Sequence, residues 1–167
     1  MAFNAVFLSR RSLLLGSIAG AFGSSWWPRP VLAAAKAANA TWDLSAEQWR
    51  QRLSPQAYGV LRDEGTERPF TSPLNGEKRS GTYHCAGCDQ PLFSSEAKFE
   101  SGTGWPSFWQ PLQGAIATKI DFKLIIPRTE YHCSRCGGHQ GHVFNDGPRP
   151  TGKRYCNNGV ALRFQPA

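Results

Sequence analysis

Three absences narrow the possibilities for this 167-residue chain. No cysteine precedes Cys85, which excludes a lipid-anchored cysteine at an N-terminal signal. No run of basic residues is longer than two, so the formal net charge of +7 does not by itself imply a nucleic-acid partner. The apolar stretch from Leu13 to about Trp27 is rich in Ser and Gly and falls short of the ~20 apolar residues that a membrane-spanning helix needs.

The first 33 residues are typical of an export signal. Arg10 and Arg11 precede the apolar stretch, a pattern that resembles a twin-arginine signal, and residues 34–44 are expected to form a linker. Cleavage after Ala33, or after an alanine shortly beyond it, would leave a periplasmic protein with no stable membrane insertion and a formal charge of +4. An ordinary apolar N-terminus and an uncleaved anchor are the alternatives.

The five cysteines divide into two pairs and one single residue. Cys85 and Cys88 form one C-x-x-C pair, Cys133 and Cys136 form a second, and 44 residues separate the two pairs. Two such pairs can supply four thiolates to one tetrahedral zinc ion, and a closed shell leaves no position for a substrate. The spacing therefore predicts one structural Zn2+ per chain. Two disulfides are the alternative, because the compartment would be oxidising.

Cys156 remains as the candidate nucleophile. Its neighbours in the sequence RYCNN are polar, which argues against burial in an apolar core. An unperturbed thiol with a pKa of ~8.5 is little ionised at neutral pH, and a nearby Arg154 guanidinium or a histidine would lower that pKa. His139 and His142 lie among glycines after the second pair and could approach the thiol. Considered singly, each of these residues could also be structural.

Two short helices are expected at the start of the domain that spans residues 45–167. Ser45 begins a capping-box pattern for a helix near 46–53, and Ser54 followed by proline begins a helix near 55–64. The side chains expected to face the core are Trp49, Leu53, Tyr58 and Leu61.

From residue 66 onward the pattern predicts short strands and turns. Residues 116–126 alternate with period two, and we expect this segment to be bent or broken into two strands. Each cysteine pair is expected to end a strand and begin a turn, so that zinc would join two hairpins. One face of a C-terminal strand is expected to carry Cys156, Asn158, Val160, Leu162 and Phe164.

Three motifs occur in order around the cysteine pairs. They are GTGWPSF at 102–108, HQGHVFNDG at 139–147 and RYCNN at 154–158. Together they resemble the methionine-R-sulfoxide reductases of the B type, and the match covers roughly residues 45–165. The resemblance implies a mainly β, β-tent-like fold with two antiparallel sheets, short N-terminal helices and a zinc site remote from the catalytic pocket.

The resemblance also implies a reaction. Cys156 would attack the sulfur of methionine-R-sulfoxide and become a sulfenic acid. His139 and His142 would hydrogen bond to the sulfoxide oxygen and protonate it. The substrates would be oxidised proteins or peptides of the bacterial envelope, and the enzyme is expected to be a monomer.

The remaining site residues receive supporting roles from the same resemblance. Asn158 would orient the substrate or a bound water, and Arg154 would favour the thiolate. Trp105 would pack against the substrate methyl group, and Phe108 is included as a further substrate contact with core packing as its alternative.

Thr103 departs from the family pattern. Many members have a cysteine there, which resolves the sulfenic acid as an intramolecular disulfide. Because the other four cysteines are assigned to zinc, Cys156 is expected to be reduced by an external thiol, such as a thioredoxin-like protein outside the cytoplasm.

Two other function classes are weighed against this one. A zinc-ribbon module for nucleic acid would show strongly salt-dependent DNA binding, which the modest charge does not favour. A thiol–disulfide oxidoreductase needs a redox-active C-x-x-C pair, usually at a helix N-terminus in a βαβ setting, and the sequence shows none.

Overall fold

A computed structural model describes residues 41–123 and 125–167. The predicted export signal at 1–33 and most of the predicted linker at 34–44 lie outside these residues. Within the described part of the chain, no helix has the length and apolar character needed to cross a bilayer.

Two short helices open the described domain, α1 (Ala46–Arg52) and α2 (Pro55–Leu61). The predicted capping box is confirmed, because the Ser45 hydroxyl accepts from the Gln48 amide and the Gln48 side chain accepts from the Ser45 amide. The Ser54 hydroxyl likewise caps α2.

The second helix is shorter than predicted, since it ends at Leu61 and not near residue 64. Glu64 has a left-handed backbone (φ 54°), and the Gly65 amide donates to the Gly59 carbonyl at 2.9 Å. A Cβ at Gly65 would lie 2.8 Å from that oxygen, so the chain can fold back on the helix only because residue 65 is glycine.

The inward faces of both helices agree largely with the prediction. Trp49, Leu53 and Leu61 are buried, whereas Tyr58 is half-buried beneath the guanidinium of Arg50.

Among residues 41–123 and 125–167, nine strands form two antiparallel sheets, which confirms the predicted mainly β class. The strands are β1 (Gly81–Cys85), β2 (Pro91–Ser94), β3 (Lys98–Phe99), β4 (Ser107–Phe108), β5 (Ile116–Asp121), β6 (Arg128–Cys133), β7 (His139–Phe144), β8 (Arg154–Asn157) and β9 (Leu162–Pro166). The smaller sheet has the order β2-β1-β9, and the larger has the order β3-β4-β8-β7-β6-β5.

Aromatic rings fill the space between the two sheets. Phe93 of the smaller sheet stacks on Phe108 of the larger at a centroid distance of 4.2 Å, and Tyr83 meets the same ring edge-on at 4.9 Å. Tyr131 and Tyr155 continue the cluster from β6 and β8. Stacked and edge-on rings of this kind stabilise a core beyond their buried area, so the larger sheet is held firmly beneath the site described below.

The alternating segment at 116–126 forms only one strand, β5, which ends at Asp121. Ile120 and Phe122 are exposed and Asp121 is buried, which is the reverse of what hydrophobicity suggests. Asp121 accepts hydrogen bonds from the Lys123 amide and the Arg128 guanidinium. These donors satisfy the buried carboxylate and end the strand by turning the chain back toward β6.

The prediction of one continuous C-terminal strand is wrong. β8 ends at Asn157, a 3-10 turn at Gly159–Ala161 follows, and β9 belongs to the other sheet. At the end of β8, the Asn158 main-chain amide and side-chain amide both donate to the Gln140 carbonyl, at 2.9 and 3.0 Å. The chain crosses between the sheets immediately after Cys156.

Candidate active site and metal centre

The four paired cysteines come together as predicted. Their sulfur atoms all lie within 4.8 Å of one another, with 3.7 Å between Cys85 and Cys136 and 3.5 Å between Cys88 and Cys133. Four sulfurs about 2.3 Å from a tetrahedral zinc ion would be about 3.8 Å apart, so the donor set and its spacing fit this metal. Both distances are far longer than the ~2.05 Å of a disulfide bond. The four cysteines are buried, free and could hold a metal ion.

The two cysteine turns have nearly the same backbone. In one, the Asp89 amide donates to the Cys85 carbonyl at 2.9 Å, and in the other the Gly137 amide donates to the Cys133 carbonyl at 2.9 Å. The residue after each second cysteine is left-handed, with φ 62° at Asp89 and 67° at Gly137. Each turn therefore presents two sulfurs on one side, which is the knuckle geometry that a closed four-cysteine site needs.

Cys156 lies in the larger sheet, between β4 and β7. It is paired with Ser107 on one side and with His142 on the other. A cavity of about 140 Å³ opens over these strands. Its lining consists of Thr66, Trp105, Arg128, Gly141, His142, Phe144, Cys156, Asn157 and Asn158. The fold thus gathers four of the predicted site residues, which are distant in sequence, around one small cavity.

A β-bulge brings the two histidines to the same side of β7. His132 pairs with His139 and Tyr131 with Gly141, so Gln140 is the extra residue. Residues three apart in a regular strand face opposite ways, and an inserted residue corrects this. The two imidazole centroids are consequently 5.5 Å apart.

Gly141 lets β7 approach β8 closely. A Cβ at this position would lie 1.9 Å from the carbonyl oxygen of Cys156. Only glycine permits the strand pairing that sets His142 opposite the thiol.

His142 is held by a buried carboxylate. Its Nε2 donates to Asp121 at 2.8 Å, and Arg128 donates to the same oxygen at 2.7 Å. The Lys123 amide and these side-chain donors hold the pKa of Asp121 well below its usual range. Burial lowers the pKa of His142 and outweighs the opposite effect of Asp121, so the ring is neutral over most of the physiological range.

His139 lies behind His142 and does not line the cavity. Its Nδ1 donates to Glu130 at 2.7 Å, and its Nε2 is buried without a partner among the described residues. Glu130 also accepts from His132 at 2.9 Å. Burial raises the pKa of Glu130, but the hydrogen bonds from His132 and His139 outweigh this effect and lower the pKa to about 2.

Burial raises the pKa of the Cys156 thiol above its ordinary value. The Arg154 guanidinium and a hydrogen bond from Thr103 act in the opposite direction without cancelling the effect of burial. Arg154 is bound first of all to Asp146, through two hydrogen bonds of 2.9 and 2.8 Å. Arg154 therefore lowers the pKa of the Cys156 thiol, as predicted, but by less than burial raises it.

Asn158 lines the cavity, yet its carboxamide already has partners in the protein. Its amide donates to the Gln140 carbonyl at 3.0 Å, and its oxygen accepts from the Glu67 amide at 2.9 Å. The Trp105 indole donates to the Glu67 carbonyl at 3.2 Å. The backbone of Glu67 thus holds both Asn158 and Trp105, which line the cavity.

Phe108 lies elsewhere. It is fully buried against Phe93 in the core, and it is not among the residues that line the cavity.

Three carboxylates of the site received no role from the sequence: Asp121, Glu130 and Asp146. Asp146 lies in the motif HQGHVFNDG, and a salt bridge between Asp146 and Arg154 of RYCNN could have been predicted from the sequence. For Glu130, the sequence signal lies in the register of the β6–β7 hairpin. The turn at Cys133 and Cys136 fixes the register of the β6–β7 hairpin, and that register places Glu130 opposite His142.

Comparison with known proteins gives one consistent result. The family model described as SelR domain matches residues 53–166. The chloroplastic peptide methionine sulfoxide reductase B1 of Arabidopsis thaliana is 46% identical over 158 residues, which cover 94% of this chain and 78% of the relative. The peptide methionine sulfoxide reductase MsrB of Leptospira interrogans is 53% identical over 122 residues, or 72% of this chain and 93% of the relative. The Methanosarcina barkeri MsrB is 54% identical over 122 residues, covering 72% and 86%.

Proposed function

The chain belongs to the SelR domain family of B-type peptide methionine sulfoxide reductases, and we propose that it reduces methionine-R-sulfoxide through a sulfenic acid at Cys156. Its relatives at about half identity are named for this activity, and the chain is accordingly a peptide-methionine (R)-S-oxide reductase.

One observation carries the choice of nucleophile. Cys156 lies directly across the strand pair from His142, and both line the cavity of about 140 Å³ that Trp105 also borders. This volume is well below the ~300 Å³ at which pockets for drug-sized ligands begin. A single side chain such as methionine sulfoxide suits it, with the rest of the substrate polypeptide remaining outside.

The proposed reaction moves one oxygen atom. The Cys156 thiolate attacks the sulfoxide sulfur while a histidine hydrogen bonds to the sulfoxide oxygen and protonates it. The oxygen passes to the cysteine sulfur, so the products are methionine and Cys156 sulfenic acid. The substrate sulfur is reduced by two electrons and Cys156 is oxidised by two.

The histidines are suited to the proton-transfer role. Asp121 orients His142 and Glu130 orients His139, in each case through one ring nitrogen. The neutral ring directs its Nε2 proton to Asp121, so His142 must take up a second proton, on Nδ1, before it can donate to the substrate. Because burial lowers the pKa of His142, the imidazolium formed in this way would be a stronger acid than an ordinary one and would give that proton readily to a basic sulfoxide oxygen.

An external thiol would restore the enzyme. Two thiols of the reductant reduce the sulfenic acid to the Cys156 thiol, with release of one water molecule and formation of one disulfide in the reductant. No other cysteine is free for this step, because the remaining four form the metal cluster and residue 103 is threonine. A thioredoxin-like protein is the proposed reductant.

We propose that the metal of the four-cysteine cluster is structural zinc. Cys85, Cys88, Cys133 and Cys136 would hold it and leave no open coordination position for a substrate. Zinc would supply a cross-link between the turns after β1 and β6, and the chemistry at Cys156 would proceed without its participation.

Turnover of the separate R and S diastereomers of methionine sulfoxide tests this proposal. The full chain, with dithiothreitol as reductant, should reduce the R form alone, and Cys156→Ser should abolish turnover while retaining the fold. Reduction of the S form, or full activity in the variant, would contradict the proposal.

We also propose that the chain is exported by the twin-arginine route and repairs oxidised proteins of the bacterial envelope. The support is the Arg10-Arg11 pair before a short apolar stretch. After expression of the full chain in a Gram-negative host, the double substitution Arg10→Lys and Arg11→Lys should retain the protein in the cytoplasm. Unchanged periplasmic recovery of that variant would count against this route.

A further inference from the structure

A second and larger cavity lies next to the one that contains Cys156. It has a volume of about 900 Å³, and its walls come from α2, from residues 65–68 and 71–74, and from the chain at 159–162. We call this cavity the α2 groove. The reaction proposed above uses no part of it.

The α2 groove and the cavity beside Cys156 share a wall. Thr66 lines both of them, and the consecutive residues Asn158 and Gly159 line the cavity and the groove respectively. Thr66 is exposed, so a polypeptide can pass over it from one cavity to the other. A substrate chain whose oxidised methionine occupies the smaller cavity can therefore continue directly into the groove.

Hydrogen bonds hold the shared wall in place. The Glu67 carboxylate accepts from the main-chain amides of Gly159 and Val160, and the Glu67 amide donates to the Asn158 carboxamide at 2.9 Å. A Cβ at Gly159 would lie 1.9 Å from the Ser72 hydroxyl, so the two segments that meet there are closely packed. A surface that is already ordered binds a flexible chain at a lower cost in conformational entropy than one that must first be ordered.

The lining of the groove favours an apolar guest. Its apolar side chains are Pro55, Val60, Pro73, Leu74, Val160 and Leu162. The charged residues among its lining are Glu67 and Arg68, and the Glu67 carboxylate is already bound by two amides. An apolar side chain that enters the groove therefore leaves water for a mainly apolar surface, which is favourable.

We propose that the α2 groove is a specificity subsite that binds an apolar side chain flanking the methionine sulfoxide of a substrate polypeptide. This inference rests on the proposed function. The occupant is the substrate chain itself, because the cavity of about 140 Å³ accepts only the sulfoxide side chain and the groove begins at its wall. Polypeptides with an apolar residue close to the oxidised methionine should be reduced with a lower KM.

Gly59 of α2 allows the groove to be obstructed without disturbing the fold. It lines the groove, and a Cβ at this position would meet nothing within 4 Å. Replacing a helical glycine also improves intrinsic helix propensity, so Gly59→Trp should fold and project its ring into the groove. Gly59→Ala is the matched control without the bulk. Gln51→Trp, at an exposed position on α1, controls for the added indole.

The preference is measured with five blocked pentapeptides and the full chain. In one, two glycines flank methionine-R-sulfoxide on each side, and in each of the other four, leucine replaces one glycine. We expect leucine in at least one position to raise kcat/KM about five- to tenfold through KM, in the wild type and both controls. Gly59→Trp should reduce this ratio to within about twofold and leave turnover of the all-glycine peptide unchanged.

Equal turnover of the leucine and glycine peptides by the wild type would overturn the proposal, as would a leucine preference that survives in folded Gly59→Trp. Gln56→Trp, at an exposed position that also lines the groove, serves as a second obstruction if Gly59→Trp does not fold. Fluorescence anisotropy of the same peptides, labelled and with methionine in place of the sulfoxide, measures binding without chemistry. Absent reduction of every peptide would contradict the proposed function, whereas a leucine preference in binding that Gly59→Trp removes would still support the subsite.

Discussion

The four-cysteine cluster and the cavity beside Cys156 both present cysteine sulfur, yet their surroundings differ in what controls thiol chemistry. In the cluster, four buried sulfurs lie within 4.8 Å of one another, and the two turns that carry them have nearly the same backbone. In the cavity, one half-buried sulfur faces imidazole, guanidinium and hydroxyl groups that differ from one another. Symmetry suits a closed, inert site, and asymmetry suits a reactive one.

The difference shows what decides the role of a cysteine in this fold. Every cysteine here lies in a strand or in a turn next to one, so the local secondary structure alone does not separate them. The groups that the fold brings close to each sulfur do separate them. The two turns direct four sulfurs toward one another, where they could hold a metal, whereas the sheet register pairs Cys156 with His142 and Ser107 beside the cavity.

Loss of the metal should have the largest effect of any change to the molecule. Structural zinc contributes on the order of ten kcal/mol of apparent folding free energy, and the cluster joins the turns after β1 and β6. Cys133→Ser should therefore unfold the domain, as judged by circular dichroism and zinc content. Cys156→Ser is the matched control and should retain both signals. A folded, zinc-free Cys133→Ser protein would mean that the cluster does not hold the sheets together.

The substitution Cys156→Ser should have the opposite effect to Cys133→Ser, because it should remove activity and leave the fold intact. Cys156→Ser should reduce turnover of methionine-R-sulfoxide by at least about a thousandfold, because a serine hydroxyl is a far weaker nucleophile than a thiolate. The free energy of unfolding should change by less than about 1 kcal/mol, measured by urea denaturation. Turnover within tenfold of the wild type would show that the asymmetric surroundings of Cys156 serve a purpose other than nucleophilic attack.

The buried carboxylate behind the histidines should produce a smaller, pH-dependent effect. The pKa of Glu130 is about 2 in the folded protein and 4.5 for the unperturbed group. Its ionised form therefore stabilises the fold fully above pH 4.5, and this contribution is lost as the pH falls towards 2. The shift corresponds to at most about 3 kcal/mol.

Glu130→Gln should accordingly be less stable than the wild type at pH 7 by about 1–3 kcal/mol, and the difference should shrink between pH 4.5 and pH 3. Urea denaturation at several pH values measures it, and comparing the two proteins at each pH removes the shared loss of metal in acid. Glu47→Gln, an exposed acid on α1, provides the control and should show no such convergence. A constant difference at every pH would reject the assigned ionisation of Glu130.

Local sequence rules predicted the parts of the fold that local chemistry determines. The two serine caps, the two knuckle turns and the mainly β class depend on residues close together in the chain, and the structure has all of them. Phe108 shows the limit of a motif, because Trp105 of the same GTGWPSF segment lines the cavity whereas the Phe108 ring stacks in the core.

The parts that the sequence did not predict depend on long-range hydrogen bonds. Asp121 occupies a position that alternation marks as exposed, but it is buried because His142 and Arg128 bind it. Asn158, the residue after β8, donates through its side-chain amide to the carbonyl of Gln140, eighteen residues earlier. The bulge at Gln140 also requires the paired strand β6, so the shared face of the two histidines could not be derived from their spacing.

Gln140 provides the finest test of how separate the two cysteine sites are. Its buried side chain donates to Cys85 at 3.4 Å in the cluster and accepts from Asn157 at 3.3 Å beside the cavity. Gln140→Met keeps the volume and removes both hydrogen bonds.

The loss of two modest hydrogen bonds should lower the free energy of unfolding by about 1–2 kcal/mol. Loss of a donor to a metal ligand should also weaken zinc retention about tenfold, measured by competition with a chelator. If the sites are chemically independent, turnover by the zinc-loaded variant should stay within about threefold of the wild type, because the Cys156–His142 pairing belongs to the backbone and survives the substitution. A larger loss of turnover with zinc still bound would mean that the metal cluster positions the nucleophile through Gln140, and the two sites would then have to be regarded as one.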